Sequence, residues 1–172
     1  MSGEEPVLPP SLPVVITVIL AAGPLCAELL HVEQPVSGLD CISCAQSVDK
    51  TLKKIKGVET ASFRITDAVA VLEMKPGNTV PLEEIRDAMK RIGYTPKEAK
   101  IKVRGEAAME DGKWVLHVGA TQYPLDVSSG HSSSEQAIAD QVRQCAGGTA
   151  VFEGSIAAER GAPLKVSSAR RE

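Results

Sequence analysis

Two cysteines, Cys41 and Cys44, stand three positions apart in the segment 38–44, which reads G-L-D-C-I-S-C. A C-x-x-C pair on a loop can bring two sulfur atoms onto one metal ion, or it can form a disulfide. The motif therefore indicates either metal binding or dithiol redox chemistry. The other cysteines, Cys26 and Cys145, lack such spacing, and we expect Cys145 to be a small buried hydrophobic residue.

The residues after the motif predict the helix that positions it. Apolar side chains recur at helical spacing, and Gly57 is expected to end the helix; these side chains are Ala45, Val48, Leu52 and Ile55. Cys44 then lies in the first turn, where backbone N–H groups and the helix dipole favour the thiolate. Thiolates bind soft metal ions, and Gly38 permits a tight backbone approach to the loop.

The neighbouring segments predict a small α+β domain. A short strand at Val32–Val36 contains Pro35, which favours a sheet edge. Alternation at Ala61, Phe63 and Ile65, and then at Ala70, Leu72 and Met74, predicts a hairpin with one buried face. A second helix follows Pro81, with the apolar stripe Leu82, Ile85, Met89 and Ile92, and a last strand holds Ile101 and Val103. The predicted order is β-α-β-β-α-β, the ferredoxin-like arrangement.

Residues 30–104 resemble the heavy-metal-associated domain of copper chaperones, of the N-termini of metal-pumping P-type ATPases and of the periplasmic mercury-binding protein. The resemblance rests on G-x-x-C-x-x-C, on the spacing of the first helix with Gly57-Val58, and on Ile92-Gly93-Tyr94. It covers under half of the chain. It implies a ferredoxin-like sandwich that binds one metal ion and passes it to a metal-transporting partner protein by ligand exchange.

The resemblance implies that Cys41 and Cys44 are the metal ligands and that Gly38, Leu39 and Tyr94 support the loop. Leu39 stands where the family usually has Met, and it can serve as the same buried anchor. Asp40 stands where the family usually has Thr or His. An aspartate there resembles the domains of zinc-, cadmium- and lead-exporting ATPases, in which the carboxylate binds the ion. Two thiolates alone suit Cu(I) or Hg(II), whereas an added oxygen ligand favours Zn(II), Cd(II) or Pb(II).

Several alternatives stay open at this point. Asp40 can instead be solvated or cap the helix, and Tyr94 can simply cover the end of the domain. The cysteines can form a redox dithiol, although the aromatic-Cys-Gly-Pro-Cys context of thioredoxin is missing. The lysines of the first helix can be a solvated face or a docking face for an acidic partner. The histidines His31, His117 and His131 are too scattered to indicate a metal site.

Charge and composition divide the chain and exclude several classes of protein. With 43% hydrophobic and 24% charged residues among 172, the chain is neither disordered nor collagen-like. Residues 1–49 have six acidic residues and no lysine or arginine, residues 50–104 have a net charge of +6, and residues 105–172 have −3. The overall charge of −3 argues against a strongly basic nucleic-acid binder.

The apolar stretch 12–30 resembles the apolar region of a signal peptide, although acidic residues precede it and prolines interrupt it. We interpret residues 1–29 as a leader that acts as an export signal or membrane anchor. The alternative is a frayed leader on a cytoplasmic protein. Membrane contact is expected only through this leader.

Residues 105–172 are expected to form a separate small β-rich module with an OB-like barrel fold. Short apolar alternations and one short helix are separated there by a turn at Tyr123-Pro124 and by glycine breaks. Few aromatic residues and a negative charge argue against nucleic-acid binding there. No nucleophile–base pair, phosphate loop or pair of catalytic carboxylates stands out in the sequence. The sequence therefore predicts a metal-binding carrier rather than an enzyme. The alternatives are a dithiol redox protein and a metal-sensing interaction module.

Overall fold

The computed structural model describes residues 27–38, 42–127 and 133–172, with the backbone alone for 42–45. Helices are interspersed among a larger number of strands along the described chain. In order they are β1 (Glu28–Ser37), α1 (Ile42–Leu52), β2 (Val58–Arg64), β3 (Val69–Met74), α2 (Leu82–Arg91), β4 (Thr95–Pro96), β5 (Ala99–Glu110), β6 (Lys113–Val118), β7 (Thr121–Asp126), α3 (Ser133–Cys145), β8 (Thr149–Ile156) and β9 (Leu164–Arg171).

The first half of the described chain has the predicted ferredoxin-like order. The strands lie in the order β2-β3-β1-β5, and every neighbouring pair is antiparallel. The helices α1 and α2 connect these strands and share one hydrophobic core with the sheet. The α+β class and the β-α-β-β-α-β order are confirmed, with β5 as the fourth long strand and β4 as a short additional pairing.

Both helices form where the apolar spacing predicts them. In α1, Val48 and Leu52 are fully buried. The helix ends at Leu52, earlier than expected, because the next turn tightens: the Ile55 N–H donates to the Leu52 carbonyl at 3.1 Å. In α2, Leu82, Ile85 and Met89 of the apolar stripe are buried as expected. Ile92 lies just after the helix and is partly buried, and Gly93 follows it with a φ of +92°.

The predicted hairpin is present, with one correction. Ala61, Ala70, Leu72 and Met74 are buried on its inner face. Ile65, which was expected on that face, is 54% exposed because β2 ends at Arg64 and residue 65 begins the turn.

The prediction that the first strand lies at a sheet edge is wrong. β1 is central and pairs with β3 on one side and with β5 on the other. Pro35 is tolerated because β5 pairs only with the earlier residues of β1. On that side the Pro35 carbonyl accepts a hydrogen bond from the Lys97 N–H at 2.9 Å, and no ladder bond requires the N–H that proline lacks.

In the second half of the described chain, five strands pair in a closed circuit, which we call the barrel, and β5 is shared with the first half. One edge of β5 pairs first with β1 and then with β6, while the other edge pairs with β8. β6 pairs with β7, β7 pairs in parallel with β9, and β9 pairs with β8. The pairings β5-β6-β7-β9-β8-β5 thus close a circuit.

Two glycines allow the close backbone approaches of the barrel. A Cβ at Gly105 would lie 2.4 Å from the His117 carbonyl oxygen, and one at Gly154 would lie 2.2 Å from the Lys165 carbonyl oxygen. No side chain fits at either distance without movement of the backbone. These positions therefore require glycine.

The predicted strands and helix of 105–172 are present as β6, β8, β9 and α3. Tyr123 and Pro124 were expected to form a turn, but they lie inside β7, where Pro124 pairs with Val115. The proposed division between residues 104 and 105 falls within β5, and the division into separate domains stays a prediction.

The predicted leader lies mostly outside the described residues, and β1 already begins at Glu28. Among the residues that the structure describes, no helix is both long and apolar enough to cross a membrane.

Candidate functional site

The C-x-x-C motif lies between β1 and α1, as the sequence predicts. β1 ends at Ser37, and α1 begins at Ile42, so Cys44 belongs to the first helical turn. Leu39, Asp40 and Cys41 lie outside the described residues, and the Cys44 side chain is not described. The roles of these four residues therefore stay predictions. We call residues 38–44 the metal loop.

The start of the metal loop approaches the turn that follows α2. Gly38 has a φ of +93°, a conformation that favours glycine. A Cβ on Gly38 would lie 3.5 Å from the Gly93 carbonyl oxygen. The two turns are therefore neighbours, and Tyr94 follows directly after this point of approach.

Tyr94 is only 7% exposed and belongs to the hydrophobic core. Its backbone N–H donates to the Met89 carbonyl at 3.1 Å, which fixes it to the end of α2. The ring of Tyr94 thus covers this end of the domain. The preceding residue, Gly93, is the one whose carbonyl oxygen approaches Gly38 at the start of the metal loop. Its role toward a bound ion stays a prediction.

A short strap, residues 95–97, holds the end of β1 just before the metal loop. Within the strap, β4 pairs Pro96 with Val36 and Thr95 with Ser37. The Lys97 N–H adds a bond to the Pro35 carbonyl. The strap therefore fixes the backbone that leads into the metal loop.

A buried polar cluster that the sequence interpretation missed lies behind this strap. Gln34 and Arg86 are both fully buried, and Arg86 Nε donates to Gln34 Oε1 at 3.2 Å. Gln34 Nε2 in turn donates to the Lys97 carbonyl at 2.8 Å and to the Pro35 carbonyl at 2.9 Å. The sequence did contain an indication that Arg86 is buried, because this residue lies at helical spacing from Leu82 and Met89, within the apolar stripe of α2.

The guanidinium of Arg86 also reaches the barrel. Arg86 Nη2 donates to the carbonyl of Ile156, the last residue of β8, at 3.0 Å, and Nη1 donates to Glu83 Oε1 at 3.2 Å. Tyr123 of β7 contacts the same region through a hydrogen bond with the backbone of Leu82. Burial raises the pKa of Tyr123, whereas the hydrogen bond with the Leu82 backbone lowers it.

A second polar cluster joins the two halves at the opposite end of β1. Glu28 is almost fully buried and accepts hydrogen bonds from Arg104 and from the Gly77 N–H. Arg104 also pairs with Glu172 through two hydrogen bonds, of 2.7 and 2.8 Å. The bonds to Glu172, more than those to Glu28, raise the pKa of Arg104, and they lower the pKa of Glu172.

The remaining candidate residues are dispersed. Cys145 is a free cysteine, 2% exposed, and burial raises the pKa of its thiol, which confirms the prediction of a buried small residue. His31 pairs with Glu73 and His117 pairs with Glu110, each at 2.7 Å, while His131 lies outside the described residues. In the described part of the chain, no three His, Cys, Asp or Glu side chains converge as a metal site would require.

The lysines at and after the end of α1 are exposed, namely Lys50, Lys53, Lys54 and Lys56, and Lys53 forms an ion pair with Asp49 at 2.8 Å. Their role as a docking face for an acidic partner stays a prediction.

Comparison with known proteins identifies the first half. Residues 35–95 match the model of the heavy-metal-associated domain. Over 78 residues the chain is 28% identical to a copper-exporting P-type ATPase of Bacillus subtilis (strain 168), and over 81 residues it is 30% identical to a probable copper-transporting ATPase, PacS, of Synechocystis sp. (strain ATCC 27184 / PCC 6803 / Kazusa). These matches cover 45% and 47% of this chain but only 9% and 11% of the relatives.

Among solved structures, the N-terminal domain of a potential copper-translocating P-type ATPase from Bacillus subtilis, in the Cu(I)-loaded state, is 25% identical. The match covers 40% of this chain and 84% of that domain, with a TM-score of 0.37. The family match, which includes the metal loop, is the finding that assigns the segment. Residues 35–95 of this chain are therefore a heavy-metal-associated domain.

Proposed function

We propose that this protein binds one soft metal ion through Cys41 and Cys44 and passes it to a metal-transporting partner protein. The observation that carries the proposal is the family match over residues 35–95, which includes both Cys41 and Cys44. The start of α1 at Ile42 supports it, because a cysteine in the first turn of a helix has a stabilised thiolate.

We propose Cu(I) as the first choice of ion. Two thiolates suit Cu(I) and Hg(II), and both curated relatives are named as copper ATPases. If Asp40 supplies an oxygen ligand, the preference shifts toward Zn(II), Cd(II) or Pb(II). The alternative for Asp40 is a solvated or capping carboxylate.

The transfer step needs no catalytic residue in this proposal. A thiolate of the partner would bind the ion to form a three-coordinate intermediate, and one cysteine of this chain would then leave as a thiolate. Both proteins must be reduced, so oxidation and acid should weaken binding. We therefore propose a carrier rather than an enzyme.

We further propose that β5–β9 and α3 form an OB-like barrel that serves as an interaction module. The closed five-stranded circuit supports this assignment of the fold. The negative charge of residues 105–172 favours a protein partner over a nucleic acid. Export or membrane anchoring through residues 1–29 stays part of the proposal.

The test is an equilibrium competition for Cu(I), Hg(II), Zn(II), Cd(II) and Pb(II) on the full reduced chain. We expect one ion per chain, with binding lost in the Cys41→Ser/Cys44→Ser variant. Cys145→Ser is the matched control and should bind like the wild type, because Cys145 is buried away from the metal loop.

The Asp40→Ala variant decides between the ion classes. A selective loss of Zn(II), Cd(II) or Pb(II) would make Asp40 a ligand. Unchanged binding with Cu(I) or Hg(II) preferred would leave the two cysteines as the full ligand set. If the reduced wild type binds none of the five ions, the proposal is wrong and disulfide reductase activity becomes the next assay.

A further inference from the structure

We propose that Arg86 is a positioning residue for the metal loop and that, through it, the barrel sets the affinity of this loop for its ion. The inference rests on the proposed metal binding. Arg86 does not reach the metal loop itself and acts through Gln34 and the strap.

Arg86 contacts Gln34, and the amide of Gln34 links the end of β1 to the strap. Arg86 Nε holds Gln34 Oε1, and the amide of Gln34 donates to the carbonyls of Pro35 and Lys97. Pro35 lies just before the metal loop, and Lys97 lies just after Tyr94. The amide of Gln34, which Arg86 holds in place, therefore fixes β1 and the strap against each other.

Arg86 also contacts the barrel at the end of β8. Arg86 Nη2 donates to the Ile156 carbonyl, where β8 ends and the connection 157–163 to β9 begins. Arg160 in that connection pairs with Asp87, the neighbour of Arg86 on α2, at 3.3 Å. A movement of this connection therefore acts on α2 directly beside Arg86.

The guanidinium of Arg86 is planar, and its N–H donors point in fixed directions. If one acceptor shifts, the other acceptors must shift with it, because otherwise a buried N–H donor is left unpaired. Arg86 is fully buried, so water cannot replace a lost partner. Gln34, Ile156 and Glu83 are thus linked in position. The barrel end and the metal loop should then respond to one another, because coupling between two sites is reciprocal.

The mutation-free test is amide hydrogen exchange of the full reduced chain, without metal and loaded with Cu(I). We expect metal to slow exchange in the strap and also in peptides covering residues 153–163. Slower exchange confined to residues 35–50 and 92–97 would overturn the coupling.

The variant test compares Arg86→Met and Arg86→Lys with Arg91→Met, a control at an exposed position of the same helix. We expect Arg86→Met to weaken Cu(I) binding by about tenfold, a typical coupling. Arg86→Lys keeps the charge but cannot serve all three acceptors, so its loss should be smaller. Equal affinities in folded wild type, Arg86→Lys and Arg91→Met would overturn the positioning role.

Amide hydrogen exchange of the metal-free protein tests the positioning role of Arg86 separately from the proposed metal binding. In metal-free Arg86→Lys, the Lys97 amide should exchange faster than in the wild type, whereas Arg91→Met should leave it unchanged. If the wild type binds no metal, the proposed function is wrong. Unchanged exchange of Lys97 would overturn the positioning role whatever the metal result.

Discussion

Two arginines connect the heavy-metal-associated domain to the barrel, and they do so in different surroundings. Arg86 lies on α2 with its side chain fully buried, and two of its three acceptors are uncharged amide or carbonyl oxygens. Arg104 lies on β5 with its side chain 27% exposed, and it is held between the carboxylates of Glu28 and Glu172. Charge pairing dominates at Arg104, whereas hydrogen bonding in a dry interior dominates at Arg86.

The two clusters also differ in their distance from the metal loop. Glu28 begins β1, and the metal loop follows its other end, so the Arg104 cluster lies about 30 Å away along the strand. The Arg86 cluster adjoins the end of β1 that enters the metal loop. Both arginines can therefore hold the two halves together, but of the two only Arg86 is placed to influence metal binding.

The largest effect is expected from removing the buried arginine. Arg86→Ala leaves Glu83, Gln34 and the Ile156 carbonyl without this donor, and each buried acceptor left unpaired costs about 1–3 kcal/mol. The free energy of unfolding from urea titration measures this loss. Arg91→Ala at the exposed position should stay within about 0.5 kcal/mol of wild type. Equal losses in both variants would contradict the burial argument.

A smaller effect is expected at the point where β5 passes from the domain into the barrel. Gly105→Ala places a Cβ against the His117 backbone and should cost about 1–3 kcal/mol of unfolding free energy. Gly148→Ala is the control, since its Cβ would meet only the guanidinium of Arg171, which can move aside. If the barrel folds as a unit with the domain, Gly105→Ala lowers the thermal midpoint in a single transition. Two transitions would show that the halves unfold separately.

Tyr123→Phe tests the second contact between the barrel and α2. Loss of the hydrogen bond with the Leu82 backbone should cost about 0.5–1.5 kcal/mol in urea unfolding. Burial raises the pKa of Tyr123 above that of an unfolded tyrosine, so its stabilising contribution is present below the unfolded pKa and is lost as pH rises. The phenylalanine variant should therefore lose less stability between neutral and alkaline pH. An identical alkaline loss in both proteins would contradict this.

The smallest effect is expected at the exposed end of the Arg104 cluster. Arg104 lowers the pKa of Glu172 below its unfolded value, so the contribution of Glu172 is present above the unfolded pKa and is lost as pH falls. Glu172→Gln should reduce the loss of stability between neutral pH and the acid range. Its Cu(I) affinity at neutral pH should equal that of the wild type. A weakened affinity would remove the functional distinction between the two arginines.

The sequence predicted most elements because their side chains report local periodicity. Helix α2 illustrates this, since Leu82, Ile85 and Met89 repeat at helical spacing and are all buried. The central position of β1 was missed because Pro35 lacks a backbone N–H, and a missing N–H is typical of an edge strand. Whether a neighbouring strand needs that N–H depends on pairing with β5, which is distant in the sequence.

The extent of β5 was missed for a different reason. Its inward residues beyond Val103 include Gly105 and Ala107, which carry too little apolar surface to continue the visible alternation. The strand runs on because β8 and β6 pair with it. Arg86 was missed because two of its three acceptors, Gln34 and Ile156, are 52 and 70 positions away, and only Glu83 is local.

The candidate site was predicted from the sequence as far as its place between β1 and α1. The C-x-x-C spacing and the following helical periodicity fix the loop and the first helical turn. The neighbouring turn at Gly93 was expected from the resemblance, and the structure brings it close to Gly38. The buried support behind the metal loop depends on tertiary contacts and could not be obtained from local spacing.

X-ray absorption at the copper edge of the Cu(I)-loaded full chain tests the central claim most directly, since it counts the atoms bound to the ion. We expect two sulfur neighbours, with the same spectrum in Cys145→Ser and no bound copper in Cys41→Ser/Cys44→Ser. Coordination by nitrogen or oxygen alone, or an unchanged sulfur shell in the double variant, would contradict it.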